Sequence, residues 1–182
     1  AFYTHWTPGE DGAWQALQDF SDRHLPDYKV RRDLPAHDGT SHLSAHLHFG
    51  EISPLQVWET LSCRATTSTV HGIITATESY LREIAWREFS HHLLYHFPST
   101  PLEPMDPRFR KFPWKKNYQY ELQRWQKGKT GIPLVDAGMR ELQASGYMHN
   151  RVRRITASFL IKNLLIPWQE GARWFWDPLV DA

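Results

Sequence analysis

The 182-residue sequence contains only one cysteine, Cys63. A single thiol can form neither an intrachain disulfide nor a thiolate zinc site, which favours a reducing compartment. No apolar run approaches the ~20 residues of a membrane span, and the N-terminus lacks the apolar core of a signal peptide. These absences predict a cytosolic or nuclear protein, with the cytoplasm as the simplest location, and no membrane partner.

Familiar catalytic motifs are absent as well. The sequence has no Gly-x-Gly-x-x-Gly fingerprint, no nucleotide P-loop and no serine nucleophile elbow, so it shows no machinery for hydrolysis. Alternating β-branched runs with hairpin turns are missing throughout, which predicts an all-α fold. The net charge is only +1, so any basic surface must come from clustering of charges rather than from their excess.

Aromatic residues, in contrast, are abundant. The chain has 9 Trp, 7 Tyr and 9 Phe, together 14% of its residues, and 11 His. This is more ring surface than a core of this size needs, and it favours flat ligands. We expect no metal site, because the i,i+4 pair His92 and His96 lacks a nearby set of acids at matching spacing.

Helical spacing of apolar residues recurs along most of the chain. It predicts helices over about 8–25, from 54 onward, and over about 70–96, 117–127, 133–145, 149–165 and 168–178, with a loop over 26–39. The segment 43–47 fits a strand or a helix equally well. Five prolines make the segment 98–116 extended and irregular. This connection divides the chain into an N-terminal helical part, 1–97, and a C-terminal helical part, 117–182.

One face of the predicted helix 70–96 combines three kinds of side chain. Glu83, Trp86, Arg87 and Ser90 follow one another at i, i+3, i+4 and i+7, so they share that face. A carboxylate, an indole and a guanidinium could there accept a hydrogen bond from a base edge, stack on its ring and hold a phosphate. The more common origin of such a face is an amphipathic surface with an i,i+4 ion pair and Trp86 in the core.

Two further segments are candidates for binding anions. Asn150, Arg151, Arg153 and Arg154 open a predicted helix, where three arginines within one turn need carboxylate, phosphate or water as partners. A solvated basic helix end explains them equally well. The segment 40–44 offers hydroxyls and backbone N–H groups at a predicted helix start, which suits an anion or an ordinary N-cap.

Four strings match a known family in order and spacing: TSHLS at 40–44, YLREIAWREF at 80–89, GKTGIPLVDAGMR at 128–140 and MHNR at 148–151. Together they resemble the photolyase/cryptochrome family over nearly the whole chain. The match is to the helical FAD-binding domain of a cyclobutane pyrimidine dimer photolyase. The strings HLHFGEISP at 46–54 and LLIPW at 164–168 are most similar to bacterial class I and class III enzymes.

The resemblance implies FAD as the cofactor and assigns residues to it. The diphosphate would be held by Tyr28, Thr40, Ser41, His42, Leu43 and Ser44, with Tyr80 and Arg87 beside them. Asn150 would approach the isoalloxazine edge, and Arg153 would pair with Asp181 near the flavin. Trp168 and Trp114 would be the middle and outer members of the family's tryptophan chain for electron transfer.

The resemblance also implies a DNA partner that carries pyrimidine dimers. Glu83 would hydrogen-bond the pyrimidine edge and Trp86 would stack on it, next to Tyr147, while Arg151 and Arg154 would bind flanking phosphates. Glu83, Trp86, Asn150 and Arg153 are thus the expected catalytic residues. The implied reaction is light-driven: reduced FAD donates an electron to a dimer flipped out of the duplex, as is known for photolyases, and the cyclobutane ring splits.

A cryptochrome photoreceptor that signals without repair is the alternative. Two positions depart from the dimer photolyases, because Arg154 stands where they have methionine and Tyr147 where they often have tryptophan. We also expect that the chain, a monomer, lacks the family's N-terminal α/β domain, whose antenna chromophore is unknown, and the C-terminal end of the family fold.

Overall fold

A computed structural model describes residues 5–182, and these residues form helices and turns without any strand. The all-α prediction is therefore confirmed for this part of the chain. The α-helices are α1 (Glu10–Asp19), α2 (Tyr28–Arg31), α3 (Ser44–Phe49), α4 (Pro54–Thr67), α5 (Ile73–His96), α6 (Gln119–Gln126), α7 (Pro133–Ser145), α8 (Asn150–Ser158) and α9 (Trp168–Trp176). Two π-helical segments (Phe20–His24 and Phe159–Asn163) and two 3-10 segments (Leu25–Asp27 and Pro107–Lys111) accompany them.

Most helix boundaries follow from local chemistry. The helix predicted from residue 54 begins with a capping box, in which Ser53 Oγ accepts from the Gln56 N–H at 3.1 Å and Gln56 Oε1 accepts from the Ser53 N–H at 2.8 Å. Pro54 occupies the first helical position, where its missing N–H costs nothing. The ambiguous segment 43–47 is helical rather than extended, since Leu43 is the N-cap of α3 and residues 44–47 lie within it.

The loop predicted over 26–39 is wrong in its first half. Leu25–Asp27 forms a 3-10 turn and Tyr28–Arg31 forms α2, so Tyr28 lies on a helix. The physical reason is the position of Pro26, which lies in the first turn of a new helical segment. A proline there has no N–H to satisfy and a φ angle suited to a helix.

The chain divides into two compact units, each with a core of its own. Among the described residues, the first unit contains 5–92 and Asp181, and the second contains 93–180 and Ala182. The core of the first unit includes Leu17, Phe20, Leu43, Val57, Leu61, Tyr80 and Ile84. The core of the second includes Leu122, Trp125, Met139, Leu142, Met148, Val152 and Leu160.

Close packing of α7 against α8 organises the second unit. A Cβ placed on Gly138 would lie 2.2 Å from Cγ1 of Val152, so only glycine allows this approach. The buried Trp125 donates its Nε1–H to the Thr156 carbonyl at 3.0 Å. These contacts fix the direction in which α8 presents its arginines.

Within residues 5–182, none of the helices combines the length and the apolar character needed to cross a bilayer. The same residues contain no group of three or more His, Cys, Asp and Glu side chains arranged to hold a metal ion.

A buried carboxylate holds the turn before α7. Asp136, which is 7% exposed, accepts hydrogen bonds from the Thr130 N–H at 2.7 Å, the Thr130 hydroxyl at 2.6 Å and the Gly131 N–H at 2.9 Å. Burial acts to raise the pKa of Asp136, but these hydrogen bonds and the nearby Arg140 outweigh it, so the pKa lies below its ordinary value. The charged carboxylate therefore stabilises the folded chain.

We expect Asp136→Asn to lower the free energy of unfolding by about 2–3 kcal/mol at pH 7, because a charged acceptor of three hydrogen bonds is lost. Since the folded pKa is depressed, the contribution of Asp136 is complete above the unfolded pKa of ~3.9 and disappears as the pH falls through the lower, folded value. Urea unfolding at pH 7 and between pH 4 and pH 2 measures both effects. The exposed Glu59→Gln in α4 serves as control, and an equal effect of the two variants would contradict the prediction.

Candidate functional site

The segment 40–44 forms a hydroxyl-rich loop directly before α3. Ser41 Oγ accepts a hydrogen bond from the Tyr80 hydroxyl at 2.8 Å and from the Leu43 N–H at 3.3 Å. Ser44 Oγ is buried and has no hydrogen-bond partner among the described residues. A buried hydroxyl without a partner is rare in folded proteins and is evidence for a ligand or water at that point.

The backbone of this loop is unusual at its centre. His42 has a φ of 52°, which is uncommon for a residue other than glycine. Its Nε2 lies 2.9 Å from Oδ1 of Asp38, which holds the side chain in place. Residues in this conformation concentrate at ligand clamps, where the surrounding structure maintains them.

A cluster of three aromatic rings supports the loop through the hydroxyl of Tyr80. The Tyr80 ring of α5 lies 4.6 Å from the Phe20 ring and 5.3 Å from the Tyr28 ring, and all three side chains are buried. The Phe20 and Tyr28 rings meet edge to face at 5.5 Å. Such contacts fix the ring of Tyr80 and, through its hydroxyl, the position of Ser41. The sequence predicts that Tyr28 and Tyr80 lie at the cofactor; in the structure Tyr80 bonds to the loop through Ser41, and Tyr28 packs against Tyr80.

Glu83 is held by an arginine that sequence analysis missed. Oε1 of Glu83 accepts from Nη2 of Arg32 at 2.7 Å, whereas the common i,i+4 interpretation would have paired it with Arg87. Burial acts to lower the pKa of Arg32, but the hydrogen bond to Glu83 and nearby negative charge outweigh it, so the pKa is raised. Arg32 lies 51 residues from Glu83, a separation that helical spacing cannot reveal. Only the folded chain shows this partner.

Arg87 instead connects α5 with α3. Its Nη2 donates to the Leu47 carbonyl at 3.2 Å, and its Nη1 donates to Glu88 at 2.6 Å. Trp86 does not lie in the core, because its side chain is 59% exposed and meets the Phe89 ring edge to face at 5.8 Å. The face of α5 that carries Glu83 thus also presents an accessible indole.

The second unit contains the other predicted residues. Its helix α8 begins at the exposed Asn150, and the side chain of His149 caps it by accepting the Arg151 N–H at 3.2 Å. Nε of Arg153 donates to the Met148 carbonyl at 2.7 Å, and its guanidinium lies 5.6 Å from the centre of the Tyr147 ring. Arg154 is exposed.

The remaining predicted residues occupy separate segments. Trp114 is half-buried and packs on Phe112 at 4.4 Å, and Trp168 is the first residue of α9. Asp181 is grouped with the first unit and Arg153 with the second. The pairing of Arg153 with Asp181 and the electron-transfer roles of the two tryptophans stay predictions.

Comparison with known proteins decides the family. Residues 80–182 match the family described as "FAD binding domain of DNA photolyase", and this match covers more than half of the chain. The chain belongs to this family. Its cofactor is therefore FAD, and the resemblance inferred from the four sequence strings is confirmed.

Individual relatives agree with this membership. The chain is 49% identical to the deoxyribodipyrimidine photo-lyase of Agrobacterium fabrum, with 97% of this chain and 36% of that protein covered. It matches a bacterial class III photolyase crystal structure from Agrobacterium tumefaciens with a TM-score of 0.93 and 46% identity, over 100% of this chain and 36% of the other. Cryptochrome-2 of Arabidopsis thaliana is 40% identical, over 97% of this chain and 29% of that protein. The chain thus spans about a third of the length of these relatives.

The residues of the first unit fit an FAD diphosphate. The loop 40–44 combines a buried Ser44 hydroxyl that lacks a partner with the Ser41 hydroxyl that Tyr80 orients. Hydroxyl donors suit phosphate oxygens, which only accept hydrogen bonds.

We expect Arg32→Gln to lower the free energy of unfolding by about 1 kcal/mol, because the half-buried Glu83 loses its charged partner. In a double-mutant cycle with Glu83→Gln, most of this effect should appear as coupling. Arg31→Gln is the matched control, since Arg31 forms only an exposed ion pair with Asp27 at 3.3 Å. Denaturant unfolding of the variants measures the coupling. Additive effects of Arg32→Gln and Glu83→Gln would show that the contact contributes nothing to the free energy of unfolding.

Proposed function

We propose that this chain is the FAD-binding part of a light-driven DNA repair enzyme that splits cyclobutane pyrimidine dimers. The observation that carries the proposal is the face of α5, where the carboxylate of Glu83, held by Arg32, lies three residues from the exposed Trp86. This combination provides a hydrogen-bond acceptor for a base edge and a surface for its ring. The loop 40–44 belongs to the same unit as this face.

The hydroxyl loop would hold the cofactor through its diphosphate. Ser44 Oγ and the hydroxyls of Thr40 and Ser41 would donate to phosphate oxygens, and Arg87 would add positive charge beside them. When bound, reduced FAD supplies the electron that a dimer takes up under light and returns after the ring has split. Asn150 and Arg153 are proposed to contact the flavin ring, and Asp181 to pair with Arg153.

Glu83 would orient the lesion. Because Oε1 is occupied by Arg32, the second oxygen of the carboxylate is left to accept an N–H from the pyrimidine edge. The ion pair keeps the side chain in one orientation before the lesion arrives. This preorganisation lowers the entropy cost of binding.

Trp86 would receive the lesion by stacking. Extraction of a base from the duplex costs a few kcal/mol, and least for damaged bases that stack poorly. Stacking on an indole contributes about 1–3 kcal/mol of favourable binding free energy per base, which offsets this cost. Tyr147 is proposed to contact the lesion as well, while Arg151 and Arg154 would bind flanking phosphates and make the affinity dependent on salt.

A photoreceptor without repair is the second candidate, favoured by the 40% identity to a plant cryptochrome. Tyr147 and Arg154, where the chain departs from the dimer photolyases, are also relevant to the choice between repair and signalling. A signalling pocket needs neither a base acceptor nor a stacking surface, so the pair of Glu83 and Trp86 supports repair.

A repair assay under blue light distinguishes the two functions. We expect the FAD-loaded protein that contains this chain to remove thymine dimers from an oligonucleotide in light and not in darkness. Glu83→Gln should slow repair at limiting DNA by at least about tenfold, because a charged hydrogen bond to the base is weakened. The dimers that remain are counted by chromatography. Illumination that leaves the dimers intact would support the photoreceptor instead.

The role of Trp86 is tested separately by binding. We expect Trp86→Ala to weaken the affinity for dimer-containing DNA by about 5–150-fold, because one base loses its stacking partner. FAD content and thermal stability should change little, since the side chain is exposed. Trp58→Ala removes another exposed indole of the same unit and serves as control. Equal affinities of the wild type and Trp86→Ala in fluorescence anisotropy would exclude the stacking role.

A further inference from the structure

A cleft of about 420 Å³ lies between α1 and α4 in the first unit. Trp14 and Gln18 line it from α1 at i and i+4. Thr60 and Arg64 line it from α4 with the same spacing, so each helix presents one face to the cleft. Clefts that bind small molecules usually measure about 300–1,000 Å³, so this one has room for a small ligand.

The cleft is distinct from the sites described above, because none of its lining residues belongs to the loop 40–44 or to α5. It includes Ser21 and Asp22 of the π-helical segment Phe20–His24, which continues α1. Short π-helical segments are rare and are frequent at functional sites. The candidate FAD and lesion sites therefore give no account of this cleft.

Several polar groups of the cleft have no protein partner. Ser21 is only 4% exposed, yet its hydroxyl forms no hydrogen bond with a described residue. The side chains of Gln18 and Thr60 likewise form none with the described part of the chain. A buried hydroxyl without a partner is evidence for a ligand or a water molecule. The cleft therefore offers two hydroxyls and one amide to a bound molecule.

The cleft also contains an ion pair. Nη1 of Arg64 lies 2.6 Å from Oδ1 of Asp22, and the two side chains are 39% and 48% exposed. Because a guanidinium has five N–H donors, this contact leaves donors of Arg64 for a second anion, and the other oxygen of Asp22 can accept from a hydroxyl. The pair has no net charge, so it suits a ligand with one phosphate better than a polyphosphate.

These groups match the parts of an adenine nucleotide. Trp14 is 40% exposed, so its indole is accessible for stacking on a base. The amide of a glutamine forms paired hydrogen bonds with N6 and N7 of adenine. Carboxylates accept hydrogen bonds from ribose hydroxyls in nucleotide sites, and guanidinium groups bind phosphate.

We propose that the cleft between α1 and α4 binds an adenine mononucleotide, at a site separate from that of FAD. Trp14 stacks on the base, and Gln18 bonds to its N6 and N7. Asp22 accepts from the ribose, and Arg64 binds the phosphate. The proposal does not depend on the repair function, since it uses no residue assigned to the lesion.

Binding of adenosine monophosphate to the FAD-loaded chain tests the site, because FAD then occupies the cofactor site. The full 182-residue chain, freed of unbound FAD, is dialysed to equilibrium against the labelled nucleotide. We expect saturable binding of one nucleotide per chain. Adenosine should bind at least about tenfold more weakly, because it lacks the phosphate that bonds to Arg64.

Two cleft variants and two matched controls make the result specific. Trp14→Ala should weaken nucleotide binding by about 5–150-fold, whereas Trp58→Ala, which removes an exposed indole of α4 outside the cleft, should leave it unchanged. Arg64→Gln should lower the affinity for adenosine monophosphate to that for adenosine and leave the affinity for adenosine itself unchanged. A general loss of structure would weaken both ligands. Arg31→Gln removes another exposed ion pair and should have no effect.

Three results would overturn the proposal. The nucleotide could fail to bind to the FAD-loaded chain, which would leave water as the occupant of the cleft. It could bind only to the FAD-free chain, which would place it in the cofactor site. It could also bind with equal affinity to the wild type, Trp14→Ala and Arg64→Gln, which would place it elsewhere on the chain. The FAD content of each variant reports whether it is folded.

Discussion

The hydrogen bond from the buried Tyr80 hydroxyl to Ser41 is the contact on which the candidate cofactor site depends. It joins a ring that Phe20 and Tyr28 hold in place to the loop that carries the free hydroxyl of Ser44. Because α5 carries Tyr80 and also the face proposed to receive the lesion, one helix positions both the loop 40–44 and that face. The geometry of the loop and the orientation of that face are therefore coupled through a single element.

The second constraint is that a carboxylate taken out of water needs hydrogen-bond partners, and two carboxylates of this chain meet it differently. Asp136 is buried and receives three hydrogen bonds from a turn, so its role is structural. Glu83 is only partly covered, and Arg32 occupies one of its oxygens. The difference in exposure separates a carboxylate that holds the fold from one that remains able to contact a base.

Helical periodicity and turn chemistry predicted the all-α class, and the helix starts predicted at residue 54 and at about residue 133 agree with the observed starts of α4 at Pro54 and α7 at Pro133. Local rules failed at Pro26, where a proline opens a helical segment instead of a loop. Arg32 as the partner of Glu83 could not be predicted, because a contact over 51 residues follows from the packing of the first unit. The hydroxyl loop was found through its sequence string, whereas the buried, partnerless state of Ser44 is visible only in the fold.

The central claim is that the loop 40–44 binds the FAD diphosphate, and a crystal structure of the chain with FAD tests it most directly. The account predicts a diphosphate oxygen within hydrogen-bond distance of Ser44 Oγ, with the bond from Tyr80 to Ser41 retained. A diphosphate bound away from this loop, or a Ser44 hydroxyl that bonds to another protein group in the complex, would contradict it.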